Sequence, residues 1–317
     1  MTNAAAAIRA RKLVAPGKVN LTLDVFAAPR PDGFHDLDSI VALLLPGDDV
    51  SVGVMQNGPG RDVRLTVTGA DPAHVPADAR NLAYRAAALF LERFVPESEN
   101  AVRVTVDLGK RLPFQAGLGG GSSDAAAVLR ALCDLFPGAA TPAELAAAGA
   151  ALGSDVALFL SDSPLVRMRG RGDDITPMMI PAFDLFGVLV RPETGVPTSS
   201  AYALLDALPH RVPGKATAVL LALLASMKGA LPAPDDLAAV MGNDFEAAIL
   251  PAFPDVARAH EQVAEAGALR ALLCGSGSAV FGLAGDENHA RDLARRLREK
   301  NLSWVETARL AARMPDA

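Results

Sequence analysis

At 317 residues, half of them hydrophobic, the chain is long for a single small core, and one large or two medium globular domains are expected. Its 36 acidic and 30 basic side chains give a formal net charge of −6 at pH 7, which argues against non-specific nucleic-acid binding and leaves room for a local basic pocket that takes a phosphorylated metabolite. Two distant cysteines, Cys133 and Cys274, and five scattered histidines form no disulfide framework and no zinc or redox spacing. No apolar run approaches the ~18 residues of a membrane span, and the first residues carry no apolar leader, so a cytoplasmic protein without a membrane partner is expected.

In chain order, Val19, Leu21, Leu23 and Val25 alternate with polar residues, which predicts a half-buried strand with Lys18 and Asn20 together on the side away from the core. Arg30 to Asp36 is turn chemistry carrying Phe34 and His35. Strands are predicted over 50–54 and 63–67, broken by Asn57-Gly58-Pro59-Gly60, then a helix over 82–94 that ends before Pro96. A strand from Val102 to Val106 leads through Lys110 into Pro113-Phe114-Gln115-Ala116-Gly117-Leu118-Gly119-Gly120-Gly121-Ser122-Ser123, and a helical pattern starts at Asp124. Thr141, Pro142 and Glu144 form a capping box that opens a helix ending at Gly153. Composition changes at Ser161-Asp162-Ser163-Pro164, where a boundary divides the chain into 1–162 and 163–317. Beyond it come an apolar run over 183–190, helical patterns over 199–208, 219–227, 243–250, 255–266 and 288–300, and strands over 269–273, 279–283 and 303–307. Strands and helices mixed in both halves predict an α+β architecture.

The glycine-rich stretch is the chemical centre of the sequence. Glycines 117, 119, 120 and 121 can take positive φ, letting backbone N–H groups converge on a ligand where a helix begins, and phosphate is the natural ligand there. The stretch is neither a P-loop, since Gly121 precedes Ser122-Ser123-Asp124 and not Lys-Ser/Thr, nor a dinucleotide fingerprint. A plain flexible loop is the alternative. Asp155, after Gly153 and before an apolar segment, is placed to act as a partly buried base, although position alone equally suits a helix N-cap. Lys18 equally suits a solvated lysine, His35 a turn residue, Thr198 a cap and Tyr202 a packing residue.

Three motifs, taken in order, resemble the GHMP family of small-molecule kinases: Pro16-Gly17-Lys18-Val19-Asn20-Leu21, the run Gly117 to Ala126, and Cys274-Gly275-Ser276-Gly277-Ser278. The stretches Arg30 to His35, Asn81-Leu82, Leu152 to Val156 and Gly195 to Thr198 resemble members that act on a cytidine-diphosphate-linked branched alcohol of the non-mevalonate isoprenoid route. The resemblance implies an N-terminal domain like domain two of ribosomal protein S5, a ferredoxin-like C-terminal domain, and ATP with Mg2+ as cofactors. It implies that Pro113 to Ser123 wrap the ATP phosphates with Asn81 and Lys110 near the adenine. It further implies that Lys18 and Asp155 are catalytic, and that Asn20, Phe34, His35, Thr198 and Tyr202 hold the substrate. Phe34 stands where these members usually carry tyrosine, Gln115-Ala116 replaces a more glycine-rich approach, and Ala157 replaces a common proline. Homoserine, mevalonate and sugar kinases of the same family, and a silent metabolite sensor, are the competing readings.

Overall fold

A computed structural model describes residues 8–56, 61–96, 102–161, 163–179, 185–209, 214–228, 232–300, 302 and 304–310. The expected break over 57–60, residue 162 of the boundary, the start of the run over 183–190 and the first residue of 303–307 lie outside them. Two long antiparallel strands open the fold: β1 (Ile8–Pro29) and β2 (His35–Gln56). β3 (Asp62–Gly69), α1 (Leu82–Phe94), β4 (Val102–Lys110), α2 (Gly120–Leu135), α3 (Pro142–Leu152) and α4 (Ser154–Leu160) follow. Next come β5 (Leu165–Gly170), β6 (Asp174–Pro177), β7 (Phe186–Arg191), α5 (Thr198–Asp206), α6 (Ala216–Ser226), α7 (Pro234–Val240) and β8 (Gly242–Asn243). The chain closes with α8 (Glu246–Ala252), α9 (Pro254–Glu265), β9 (Arg270–Leu273), β10 (Val280–Ala284), α10 (Glu287–Arg298) and β11 (Trp304–Leu310).

β2 is the spine of the sheet. Along one edge it pairs with β1; along the other it pairs in turn with β5 over 37–42, β11 at 44–45 and β4 over 49–56. From β11 the sheet continues through β7 and β10 to β9. Helices α1 and α2 cover one face, where Phe90, Leu129 and Leu132 pack with Val41, Val52, Val104 and Val106. Helices α9 and α10 cover the far end, where Val263, Leu293 and Leu297 meet Val188 and Val190. The α+β mixture expected from the sequence is observed.

The alternation of β1 is not that of a half-buried strand. A register shift between Asn20 and Thr22 makes Leu21 an extra residue, so Val19 pairs opposite Ala42 but Leu23 falls opposite Ser39. Side-chain direction reverses across such a bulge. Val19 and Leu21 therefore enter one core cluster while Leu23 and Val25 enter another. Lys18 and Asn20 do share a face, but it is covered, and they are only 7% and 3% exposed. Three further departures from the sequence reading are local. α2 begins at Gly120, four residues before the apolar periodicity, because glycines and serines carry its first turn. Asn243 belongs to the short β8, which pairs with Thr22 and Leu23, so the helix after it starts at Glu246. β2 extends far beyond the predicted 50–54, since buried Ile40 to Leu44 pack on both faces and show no alternation.

Candidate active site

The glycine loop is built by close approach. Gly117 (φ 79°) and Gly119 (φ 71°) take the left-handed conformation, whereas Gly120 and Gly121 are helical and Gln115 (φ 52°) is a non-glycine residue in that strained region. A Cβ on Gly117 would lie 2.0 Å from the Cys274 carbonyl oxygen, and one on Gly119 would lie 2.9 Å from the Phe159 ring. Backbone bonds pin the loop at both sides: Lys18 N–H donates to Leu118 O at 2.9 Å and Ala279 N–H to Ala116 O at 3.1 Å. The Cys274 to Ser278 turn is thus a wall of the loop, held by Asn243, whose Nδ2 donates to Leu273 O at 2.8 Å and Gly275 O at 2.7 Å. Burial pushes the Cys274 thiol up to about 12, so this cysteine serves packing and not nucleophilic chemistry.

The loop bounds a cavity of about 470 Å³. Every residue from Pro113 to Ser122 lines it, together with Arg80, Asn81, Lys110, Asp124 and Thr198. Ser123 is buried instead within α2, its hydroxyl without a partner among the described residues. Gly119 caps α2 with no side-chain acceptor, so the amides of its first turn stay available for an anion. Asn81 is also the N-cap of α1, its Oδ1 accepting from Ala83 N–H at 2.9 Å and its Nδ2 donating to Pro76 O at 2.7 Å.

Beneath this corner lies a charged cluster that sequence reading saw only in part. The buried Lys110 ammonium donates to Asp124 at 2.6 Å and to Asp48. Asp48 in turn accepts from Arg111 N–H at 2.6 Å and Leu112 N–H at 2.8 Å, which shapes the exit of β4 into the loop. Burial and the Asp48 charge push the Asp124 carboxyl up to about 7 against the pull of Lys110. Burial lowers the Lys110 pKa, but its two carboxylates outweigh this and the net shift is upward. Lys110 therefore lines the cavity while its charge is committed to locking β4, the loop and α2.

Lys18 sits on the other side of the loop. Its Nζ donates to Asn20 Oδ1 at 2.7 Å, Asn20 Nδ2 donates to Ser39 Oγ at 2.8 Å, and Ser39 Oγ donates to Thr22 O at 2.5 Å. A Cβ on Gly275 would come within 3.0 Å of Lys18 Nζ, so the ammonium is enclosed between the two glycine turns. Asp155 lies half-buried in the first turn of α4; one turn later, Phe159 packs at Gly119 beside the Lys18 stem. Among the described residues Asp155 makes no ion pair with Lys18 and has no hydrogen-bond partner, which leaves its carboxylate available.

The expected substrate residues form a third group, joined to the loop by α5. Thr198 Oγ1 lies 3.3 Å from Ser276 Oγ, and Tyr202, one turn on, stacks on His35 with ring centroids 5.7 Å apart. His35 is buried, with Nδ1 2.8 Å from Phe26 O and Nε2 3.0 Å from Asp206 Oδ2, so its ring nitrogens are spent inside the protein. Phe34 is exposed. Asp48 and Asp206 escaped sequence reading, while Asp124 and Asn243 were read only as the starts of helical runs.

Residues 81–163 match the GHMP kinases N terminal domain and residues 222–302 the GHMP kinases C terminal domain. A 4-diphosphocytidyl-2-C-methyl-D-erythritol kinase from Moorella thermoacetica is 40% identical over 90% of this chain and 94% of its own. A kinase of the same name from Cereibacter sphaeroides is 35% identical over 94% and 98%. A crystal structure of 4-(cytidine 5'-diphospho)-2C-methyl-D-erythritol kinase superposes with a TM-score of 0.71 at 33% identity, covering 95% of this chain and 99% of that one. The L. major mevalonate kinase in complex with R-mevalonate, at 17% identity and a TM-score of 0.69 over the full length of both chains, shares the fold. The ordered motifs, the loop they build and these likenesses agree: the chain belongs to the GHMP kinase family.

Proposed function

We propose that this chain transfers the terminal phosphoryl group of ATP to the C2 hydroxyl of 4-diphosphocytidyl-2-C-methyl-D-erythritol, giving the 2-phosphate and ADP on the way to isoprenoid precursors. The observation that carries the reading is the glycine-lined cavity whose loop is bonded to Lys18 on one side and to the Cys274 to Ser278 turn on the other. Phosphoryl transfer is mostly positioning and charge stabilisation. The loop amides and the α2 N-terminus would hold the phosphates, and Lys18 would offset the charge that spreads over the moving group. The hydroxyl oxygen forms the new P–O bond as the bond to ADP breaks, and Asp155 takes the hydroxyl proton. A tertiary alcohol is weakly acidic, so an unpartnered carboxylate suits this role.

Magnesium would complete the charge balance. It keeps several waters and needs only one or two protein oxygens beside the nucleotide phosphates. Among the described residues the Asp155 carboxylate, which has no hydrogen-bond or ion-pair partner, would fit an ion that arrives on ATP through one oxygen, with the other left for the hydroxyl proton. Bound there, the ion would polarise the phosphoryl oxygens and neutralise their charge.

Magnesium-dependent ADP release tests the reading, with the cytidine substrate run beside homoserine, mevalonate, galactose and no acceptor. Turnover confined to the cytidine substrate is the expected result. Turnover with another alcohol would keep the phosphotransferase and discard the substrate; ATP binding without turnover would favour a sensor.

A further inference from the structure

The turn over 30–34 sets an aromatic ring in the open beside the buried His35 group. Phe34 is 52% exposed, whereas the His35 side chain is only 4% exposed. One face of the Phe34 ring is already occupied, because the Arg171 guanidinium carbon lies 4.1 Å from the ring centroid. Arg171 projects from the turn between β5 and β6, whose flanking Gly170 and Gly172 have φ of 64° and 92°. Its guanidinium also lies 3.7 Å from Asp32, and Arg30 approaches the same Asp32 at 3.5 Å while donating to Asp36 at 2.7 Å. Charge pairs from two separate turns therefore fix a ring that has no hydroxyl with which to anchor itself.

Helix α5 gives the distance scale. Thr198 lines the loop cavity, Tyr202 stacks on His35, and Asp206 accepts from His35 Nε2. At 1.5 Å per residue this helix spans about 12 Å from Thr198 to Asp206. A substrate whose reacting hydroxyl lies at the loop, and whose base follows a diphosphate spacer, would reach the end of α5 where His35 stands, next in sequence to Phe34. The buried His35 ring is engaged on both nitrogens, which leaves Phe34 as the exposed π surface of that group.

We infer that Arg171 is a positioning residue for substrate specificity: it backs the Phe34 ring so that the opposite face stacks on the cytosine base of the substrate. This inference rests on the proposed function. Arg171 acts through the ring, and a planar guanidinium over one face leaves the other free.

The test is a double-mutant cycle of Arg171→Ala and Phe34→Ala, read as KM for the cytidine substrate and as Kd for cytidine 5′-diphosphate by calorimetry. Arg171→Ala is expected to raise both constants about two- to fivefold, with kcat, the KM for ATP and the melting temperature unchanged. In the Phe34→Ala background it is expected to add nothing, and Arg171→Lys is expected to keep part of the effect. Unchanged constants in Arg171→Ala, or an equal loss with Phe34 already removed, would overturn the inference; the second result would mean that Arg171 touches the substrate itself. Wild-type protein that neither binds cytidine 5′-diphosphate nor turns over the cytidine substrate would overturn the proposed function, and the inference with it.

Discussion

Lys18 and the helix that carries Asp155 meet the loop by different routes. Lys18 is held on a buried strand by Asn20 two residues on, while Asp155 opens a short helix anchored through Phe159. On the proposed roles, with the loop amides holding the nucleotide and the carboxylate taking a proton, Asp155→Asn is expected to lower kcat about 10²- to 10⁴-fold and leave ATP affinity within about twofold. Steady-state kinetics beside calorimetric ATP titration decides this, and near wild-type turnover would remove Asp155 from the mechanism. That Lys18 and Asn20 share a face was legible in the sequence, since a strand puts i and i+2 on one face. Their burial was not. The extra residue at Leu21 reverses the alternation, and a bulge leaves no compositional mark on a run that is apolar on both sides of it. Asp48 stayed hidden for another reason: it meets Lys110 across 62 positions, so only the folded sheet brings them together.

At the scale of elements, the corner where β4 passes through the loop into α2 is fixed by two devices. The first is steric. Gly117 takes φ 79° with a carbonyl oxygen 2.0 Å from where a Cβ would stand, so Gly117→Ala must displace either the loop or the Cys274 turn. We expect it to weaken ATP binding at least tenfold, measured by calorimetry; unchanged affinity would mean that the loop does not hold the phosphates. The second is the Lys110 cluster with Asp48 and Asp124. Between the ordinary carboxylate value of 3.8 and about 7, the folded chain keeps a proton on Asp124 that the unfolded chain releases, so this group makes stability fall as pH rises through that window. Asp124→Asn preserves an acceptor for Lys110 and removes the titration. Relative to wild type, its melting temperature should therefore gain as pH rises from about 4 to about 7, and parallel profiles would show Asp124 ionised throughout. Local chemistry made many elements readable: the Thr141 capping box and Pro96 after α1 mark ends that the structure confirms. The reading lost β5, β6 and α7, which are short, and the first half of β2, which is buried on both faces.

At the scale of the molecule, the two halves suggested by composition share their cores. One cluster joins Leu23, Val25 and Val41 to Ala201, Leu205 and Phe245, and another joins Val19, Leu21 and Ile40 to Leu220, Leu272, Phe281 and Leu310. β2 pairs with β11 at Leu44 and Leu45, and β8 pairs with β1 beside the bulge, so backbone bonds also cross residue 162 in both directions. The loop lies in the first half, yet its wall at Cys274 to Ser278 lies in the second. Neither half can open without exposing the other's core, and a single cooperative unfolding transition follows. The sole tryptophan, Trp304, stands in β11 of the second half and reports its local surroundings, whereas far-UV circular dichroism reports the whole chain. Denaturant curves from the two signals should coincide, and ATP at about 100 times its Kd should raise both by the same ~2.7 kcal/mol. A Trp304 transition that separates from the dichroism curve, or that ATP fails to move, would mean that the second half unfolds on its own and that the wall at Cys274 contributes nothing to holding the nucleotide.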